Sequence, residues 1–120
     1  METAFELEHV SFRYHKKKPL VIDNISFKVE KGTIFGLLGP SGAGKSTTQK
    51  IMSKLLDDYQ GHISYFGKDL KSFGKSFYES IGVGFEMPVL FTKLTARENL
   101  AFFAGLYKKH IDYEKLLVRI

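Results

Sequence analysis

The chain has 120 residues, 43% hydrophobic and 14% aromatic: enough apolar material for one packed domain or part of one, and too much for disorder. Its formal net charge of +5 is spread along the chain and fits acidic partners of several kinds without choosing among them. Zero cysteines excludes disulfides and thiolate metal sites and fits a reducing cytoplasm; no apolar run approaches the roughly 20 residues that span a bilayer, so the chain is expected to be soluble and to meet a membrane only through a partner.

Phe5 and Leu7 alternate with polar residues, then Val10, Phe12 and Tyr14 alternate in the opposite phase. That slip predicts a strand interrupted by a bulge, or two short strands. His15-Lys16-Lys17-Lys18-Pro19 reads as a solvated loop. It lacks the aromatic platform and base-reading motif that would make it a nucleic-acid patch, so no nucleic-acid partner is expected. Ile25, Phe27 and Val29 alternate as a second strand, and Glu30-Lys31-Gly32 turns into Thr33–Leu38, an apolar run expected to be a buried strand. The opening region thus reads as an antiparallel hairpin packed against that strand.

Gly39-Pro40-Ser41-Gly42-Ala43-Gly44-Lys45-Ser46-Thr47 follows. It contains Gly, four residues, then Gly-Lys-Ser, a phosphate-binding pattern. Glycines let successive backbone N–H groups curl toward phosphate oxygens. Lys45 brings a mobile positive charge to the outer phosphates, the Ser46 hydroxyl can ligate Mg²⁺, and the helix beyond contributes its positive end. The rival reading is a glycine-rich turn that binds nothing. A strand before the loop and a helix after it, with Ile51, Met52, Leu55 and Leu56 at helical spacing, favour phosphate.

That helix is expected to end near Asp57-Asp58. His62 to Phe66 reads as a strand turned by Gly67-Lys68-Asp69, and Ile81 to Phe85 as a strand parallel to the one entering the loop. Thr95 and Glu98 form a capping box. The helix they start places Ala96, Leu100, Phe103 and Tyr107 on one face, with Lys108-Lys109-His110 at its negative end. Phe102 and Phe103 cannot both face one core, so Phe102 is expected to cover a further part of the domain or to meet a partner. Asp112 is placed to cap a last helix through Leu116, Leu117 and Ile120. His9, His15, His62 and His110 lack metal-ligand spacing and read as surface or packing residues.

In this order the motifs resemble the ATP-binding subunits of ABC transporters. Val10-Ser11-Phe12-Arg13-Tyr14 is similar to the segment whose aromatic stacks on adenine, a role that falls to Tyr14. Val21 to Phe27 with Glu30-Lys31-Gly32, the loop from Gly39 to Thr47, Gly61-His62-Ile63 with Phe66 to Asp69, and Ile81 to Leu100 resemble the family's next four segments in turn. The resemblance implies an α/β fold: a partial P-loop nucleotide-hydrolase core with an antiparallel β subdomain. It implies ATP and Mg²⁺ as ligands, held by Tyr14, Gly39, Ser41, Gly42, Ala43, Gly44, Lys45, Ser46 and Thr47, with Thr47 on the α-phosphate, Lys45 also catalytic and Ser46 on the metal. Where the family has a metal- and water-touching glutamine this sequence has Glu86, which the resemblance makes a catalytic and metal-binding candidate. The same position is also consistent with a variant that only holds the loop by hydrogen bonds.

By the same resemblance, residues 1–120 are the N-terminal part of one ATP-binding domain, ending before its signature and catalytic-carboxylate segments. The partners implied are ATP, a membrane-spanning transporter subunit, and a second ATP-binding subunit in a homodimer or heterodimer. The location implied is cytoplasmic, at the inner face of the membrane. Two other readings stand beside it. One is a short nucleotide-binding or interaction module that never hydrolyses. The other, a small P-loop kinase, needs a lid arginine, and Arg97 and Arg119 lie in no lid-like context.

Overall fold

The computed structural model describes residues 1–42, 44–84 and 89–119. Backbone contacts divide the chain into two units, Met1–Gly74 and Lys75–Ile120.

The first unit is built on a four-stranded antiparallel sheet of order β2-β1-β3-β4, with β1 Thr3–Phe12, β2 Ile22–Glu30, β3 Gln60–Tyr65 and β4 Lys68–Asp69. β1 is central, and the slip in its alternation is a bulge. Leu7 pairs with Phe27 and Val10 with Ile25, and the irregularity between them contains His9 at φ 51°. Two neighbours support the left-handed His9: its N–H donates to Ser26 Oγ at 2.9 Å, and its Nδ1 lies 2.9 Å from Asn24 Oδ1. Through the bulge, Leu7, Val10 and Phe12 all stay buried despite their change of phase. β3 turns into β4 through Phe66 and Gly67, both at positive φ (46° and 80°), the conformation a two-residue hairpin turn requires.

Helix α1, Lys45–Met52, belongs to the same unit and buries Ile51. It ends a turn before the expected Asp57-Asp58. Ser53 caps it and Lys54 takes a left-handed φ of 62°. Leu55 N–H then reaches back to Lys50 O at 2.8 Å and Lys54 N–H to Ile51 O at 3.0 Å, the two closing bonds of a Schellman motif. A lysine stands where glycine is usual. Its ammonium compensates by donating to the carbonyls of Phe73 and of Leu70, the latter at 3.1 Å, which ties the helix end to the 3₁₀ turn Leu70–Ser72.

Two expected strands are not formed. Residues 33–38 join no ladder among the described residues, and Ile34 and Leu38 are fully exposed at 104% and 97%. Phe35 stacks 5.0 Å from Phe27, and Leu37 is half-buried. Residues 81–84 are likewise outside any strand, and Phe85 lies outside the described residues. Both runs have strand composition, but a strand exists only when a neighbour takes up its backbone groups. The hairpin β1–β2 therefore packs on no loop-entering strand.

The second unit holds a 3₁₀ segment, Lys75–Glu79, helix α2, Ala96–Ala104, and helix α3, Tyr113–Arg119. The capping box at the start of α2 is present in both directions: Glu98 N–H donates to Thr95 Oγ1 at 3.1 Å and Thr95 N–H to Glu98 Oε1 at 3.2 Å. The helix is shorter than the apolar spacing suggests. Tyr107 and Lys108 to His110 lie beyond it, and Lys108 N–H donates to Glu79 Oε1 at 3.0 Å. Phe102 is exposed at its Phe91 contact, 4.9 Å edge to face. No helix among the described residues is long and apolar enough to cross a membrane.

Candidate functional site

The glycine loop leads directly into α1. Gly42 and Gly44 both have positive φ, 83° and 93°, in the region that side chains disfavour. Gly44 is further constrained by space. A Cβ there would lie 2.9 Å from Val21 O and 3.3 Å from Ile22 Cγ1, so the loop's last glycine is pressed onto the start of β2. Gly44 is also the N-cap of α1, and its carbonyl accepts from both Thr48 N–H (2.9 Å) and Thr48 Oγ1 (2.8 Å). Packing thus fixes the place where the loop becomes helix.

Lys45 is the first helical residue, and its side chain turns back over the loop. Its ammonium donates to the carbonyl of Gly39 and, at 3.2 Å, to that of Pro40. The cation is therefore inside the curl of the loop, where phosphate oxygens would take the place of those carbonyls. Ser46 is exposed on the first turn. Thr47 is buried, and its Oγ1 lies 3.0 Å from the Tyr14 hydroxyl. Tyr14 comes two residues after the end of β1, and its ring meets Phe12 edge to face at 5.0 Å. The loop that carries it is closed by Val21 N–H donating to Phe12 O at 2.8 Å and by Lys18 N–H donating to His15 O at 2.9 Å.

So Tyr14, Gly39, Gly42, Gly44, Lys45 and Thr47, spread over 33 positions of sequence between Tyr14 and Thr47, meet around the start of one helix. Ser41 is an exposed member of the same loop. Ala43 and Glu86 lie outside the described residues. Sequence reasoning missed two supports: Thr48, whose hydroxyl locks the Gly44 carbonyl, and Val21, whose carbonyl admits only glycine at position 44. A hydroxyl three residues after the lysine signals the first; nothing local signals the second.

The chemistry available is anion binding. The start of a helix, with the positive end of its dipole, and a lysine ammonium beside it favour phosphate. Among the described residues no group of three His, Asp or Glu side chains could hold a metal by itself. A glycine loop clasped by the lysine of the following helix, on an α/β chain with an antiparallel subdomain, defines a P-loop protein.

Comparison with known proteins names the family. The model described as "ABC transporter" matches residues 22–119, and the chain belongs to that family. It is 50% identical over 98 residues to a fluoroquinolones export ATP-binding protein of Mycobacterium tuberculosis, a match covering 82% of this chain and 33% of that one. It is 37% identical over 109 residues to the Nod factor export ATP-binding protein I of Sinorhizobium fredii, covering 91% of this chain and 31% of that protein. Against a bacterial Atm1-family ABC exporter with ATP bound, the TM-score is 0.69 at 28% identity, over 75% of this chain and 16% of that one. The chain spans about a third of the length of the curated relatives it matches.

Proposed function

We propose that the chain is the ATP- and Mg²⁺-binding portion of an ABC transporter's ATP-binding subunit, and that the whole protein uses ATP to drive export across a membrane. The observation that carries this reading is the Lys45 ammonium folded into the glycine loop against the Gly39 and Pro40 carbonyls. It stands where a triphosphate's outer oxygens would replace those carbonyls. Both of these relatives are export ATP-binding proteins.

The residues present fit the ligand. Gly42 and Gly44 take left-handed conformations and bring no side chain of their own into the loop, which in sequence also contains Gly39, Ser41 and Ala43. Lys45 neutralises phosphate charge, Thr47 offers its hydroxyl to the α-phosphate, and Tyr14 offers its exposed ring to the base. Mg²⁺ takes few protein ligands and most of its shell from water and phosphate, so the Ser46 hydroxyl suffices, with Glu86 as a further candidate. Bound there, the metal would offset charge on the outer phosphates. The residues' own work is to bind, orient and neutralise.

We further propose that residues 1–120 are the N-terminal part of one such domain, that the subunit works as a dimer, and that it sits at the cytoplasmic face of the membrane on a membrane-spanning partner. The test of the central reading is calorimetric titration of the purified chain with ATP, with and without Mg²⁺. Saturable binding strengthened by Mg²⁺ and weakened at least tenfold by Lys45→Ala is expected. A folded chain that binds ATP no better than its Lys45→Ala variant would overturn it.

A further inference from the structure

We propose that the Tyr14 hydroxyl serves the phosphate side of the site: it donates to Thr47, which donates in turn to a phosphate oxygen. This inference rests on the phosphate-loop reading above and adds a role separate from any contact of the Tyr14 ring with a base.

The geometry carries it. Tyr14 Oη and Thr47 Oγ1 are 3.0 Å apart, and Thr47 is only 6% exposed, on the first turn after the glycine loop. Either oxygen can donate when the two are alone. A phosphate oxygen can only accept, so a Thr47 hydroxyl turned toward phosphate has spent its single proton there. The bond to Tyr14 then has one direction left, with the phenol donating. Hydrogen bonds in such a chain strengthen one another, and the terminal bond is made to a charged acceptor. The phenol is held in place for this by Phe12, edge-on at 5.0 Å, and by the Val21-to-Phe12 backbone bond that closes its loop. Tyr14 thereby becomes a positioning residue: once phosphate is bound, its donated proton holds the Thr47 hydroxyl turned toward the phosphate oxygen.

A phenylalanine at position 14 would keep the ring and lose the donor. If the ring alone matters, phenylalanine equals tyrosine, and a ligand without a base is indifferent to the change. Calorimetric titration of the chain with ATP and with inorganic tripolyphosphate, which has no base, separates the cases. With Tyr14→Phe we expect affinity to fall roughly three- to tenfold for both ligands, the loss of one hydrogen bond. On a Thr47→Val background the same substitution should change nothing further, whereas Thr47→Ser, which keeps the hydroxyl, should retain the dependence.

Unchanged tripolyphosphate affinity in a Tyr14→Phe variant with native circular dichroism overturns the proposal, whether or not ATP binding falls. An equal loss on the Thr47→Val background also overturns it, because the effect then bypasses Thr47. If the unsubstituted chain binds neither ligand, the phosphate-loop reading itself fails.

Discussion

Gly61 sits directly against the bulge in β1: a Cβ at Gly61 would lie 2.3 Å from the His9 carbonyl oxygen and 2.6 Å from that of Glu8. Neither neighbour can yield, since both atoms are backbone in the central strand. Gly61 also has φ 94°, which side chains avoid. Bulge and glycine are therefore one feature built from two distant segments. Gly61→Ala should destabilise the first unit by about 2–4 kcal/mol, read as a lower urea midpoint. A midpoint within error of the parent chain would show that the two strands do not approach so closely.

Asn99 is the buried polar side chain of α2, 7% exposed. Its Oδ1 accepts from Phe91 N–H at 2.8 Å, and its Nδ2 donates to the carbonyls of Phe91 (3.0 Å) and Leu94 (3.3 Å). One amide thus adds to the segment's own backbone bond, Leu94 N–H to Phe91 O at 3.2 Å, and ties that segment to the helix. Asn99→Ala should remove about 2 kcal/mol of local stability, seen as amide exchange at Phe91 faster by about thirtyfold. Asn99→Asp should do the same, because a carboxylate keeps the acceptor and loses the donors.

Tyr59 is 6% exposed, and its hydroxyl has no hydrogen-bond partner among the described residues. Burial pushes its phenol from the usual 10.0 up to about 12, and the carboxylates of Asp69 and then Asp57 push the same way. A group whose pKa is higher folded than unfolded stabilises fully below the unfolded value. That contribution is lost as pH rises through the folded one. Stability should accordingly fall between pH 10 and about pH 12 in proportion to this shift, and Tyr59→Phe should flatten that part of the curve. The same substitution removes an unsatisfied hydroxyl, so below pH 9 it should cost nothing or add up to about 1 kcal/mol. A clear loss of stability at neutral pH would mean that the hydroxyl has a partner.

Phosphoryl transfer requires a positioned water or acceptor as well as a phosphate clamp. These 120 residues contain no apolar run ending in Asp-Glu, and Asp57-Asp58 follows a helix instead. The expectation is ATP binding without steady turnover. Continuous phosphate release by this chain, abolished by Lys45→Ala, would falsify it.

What was legible in the sequence was local. A change of alternation phase marks the bulge at His9, because side chains of a strand point to opposite faces in turn. The Thr95–Glu98 capping box joins groups three residues apart, so its pattern is its structure. The phosphate loop is readable for the same reason. The end of α1 was hidden because a lysine occupies the left-handed position, held by carbonyls at Leu70 and Phe73 that no local rule connects to Lys54. The close approach of Gly44 to Val21 and the many-sided role of Asn99 were hidden likewise. Residues 33–38 and 81–84 have the composition of strands, but composition does not state which neighbour will pair with them.

Ile34 and Leu38 turn their whole apolar surface to water beside backbone that no ladder has claimed. Such a stretch invites a like stretch from another molecule, since edge pairing and side-chain contact favour the same approach. Concentrated samples should scatter more light than dilute ones, and a charged residue at position 34 or 38 should restore clarity. Affinities for nucleotide are then best read in the dilute range, where each binding event belongs to a single chain.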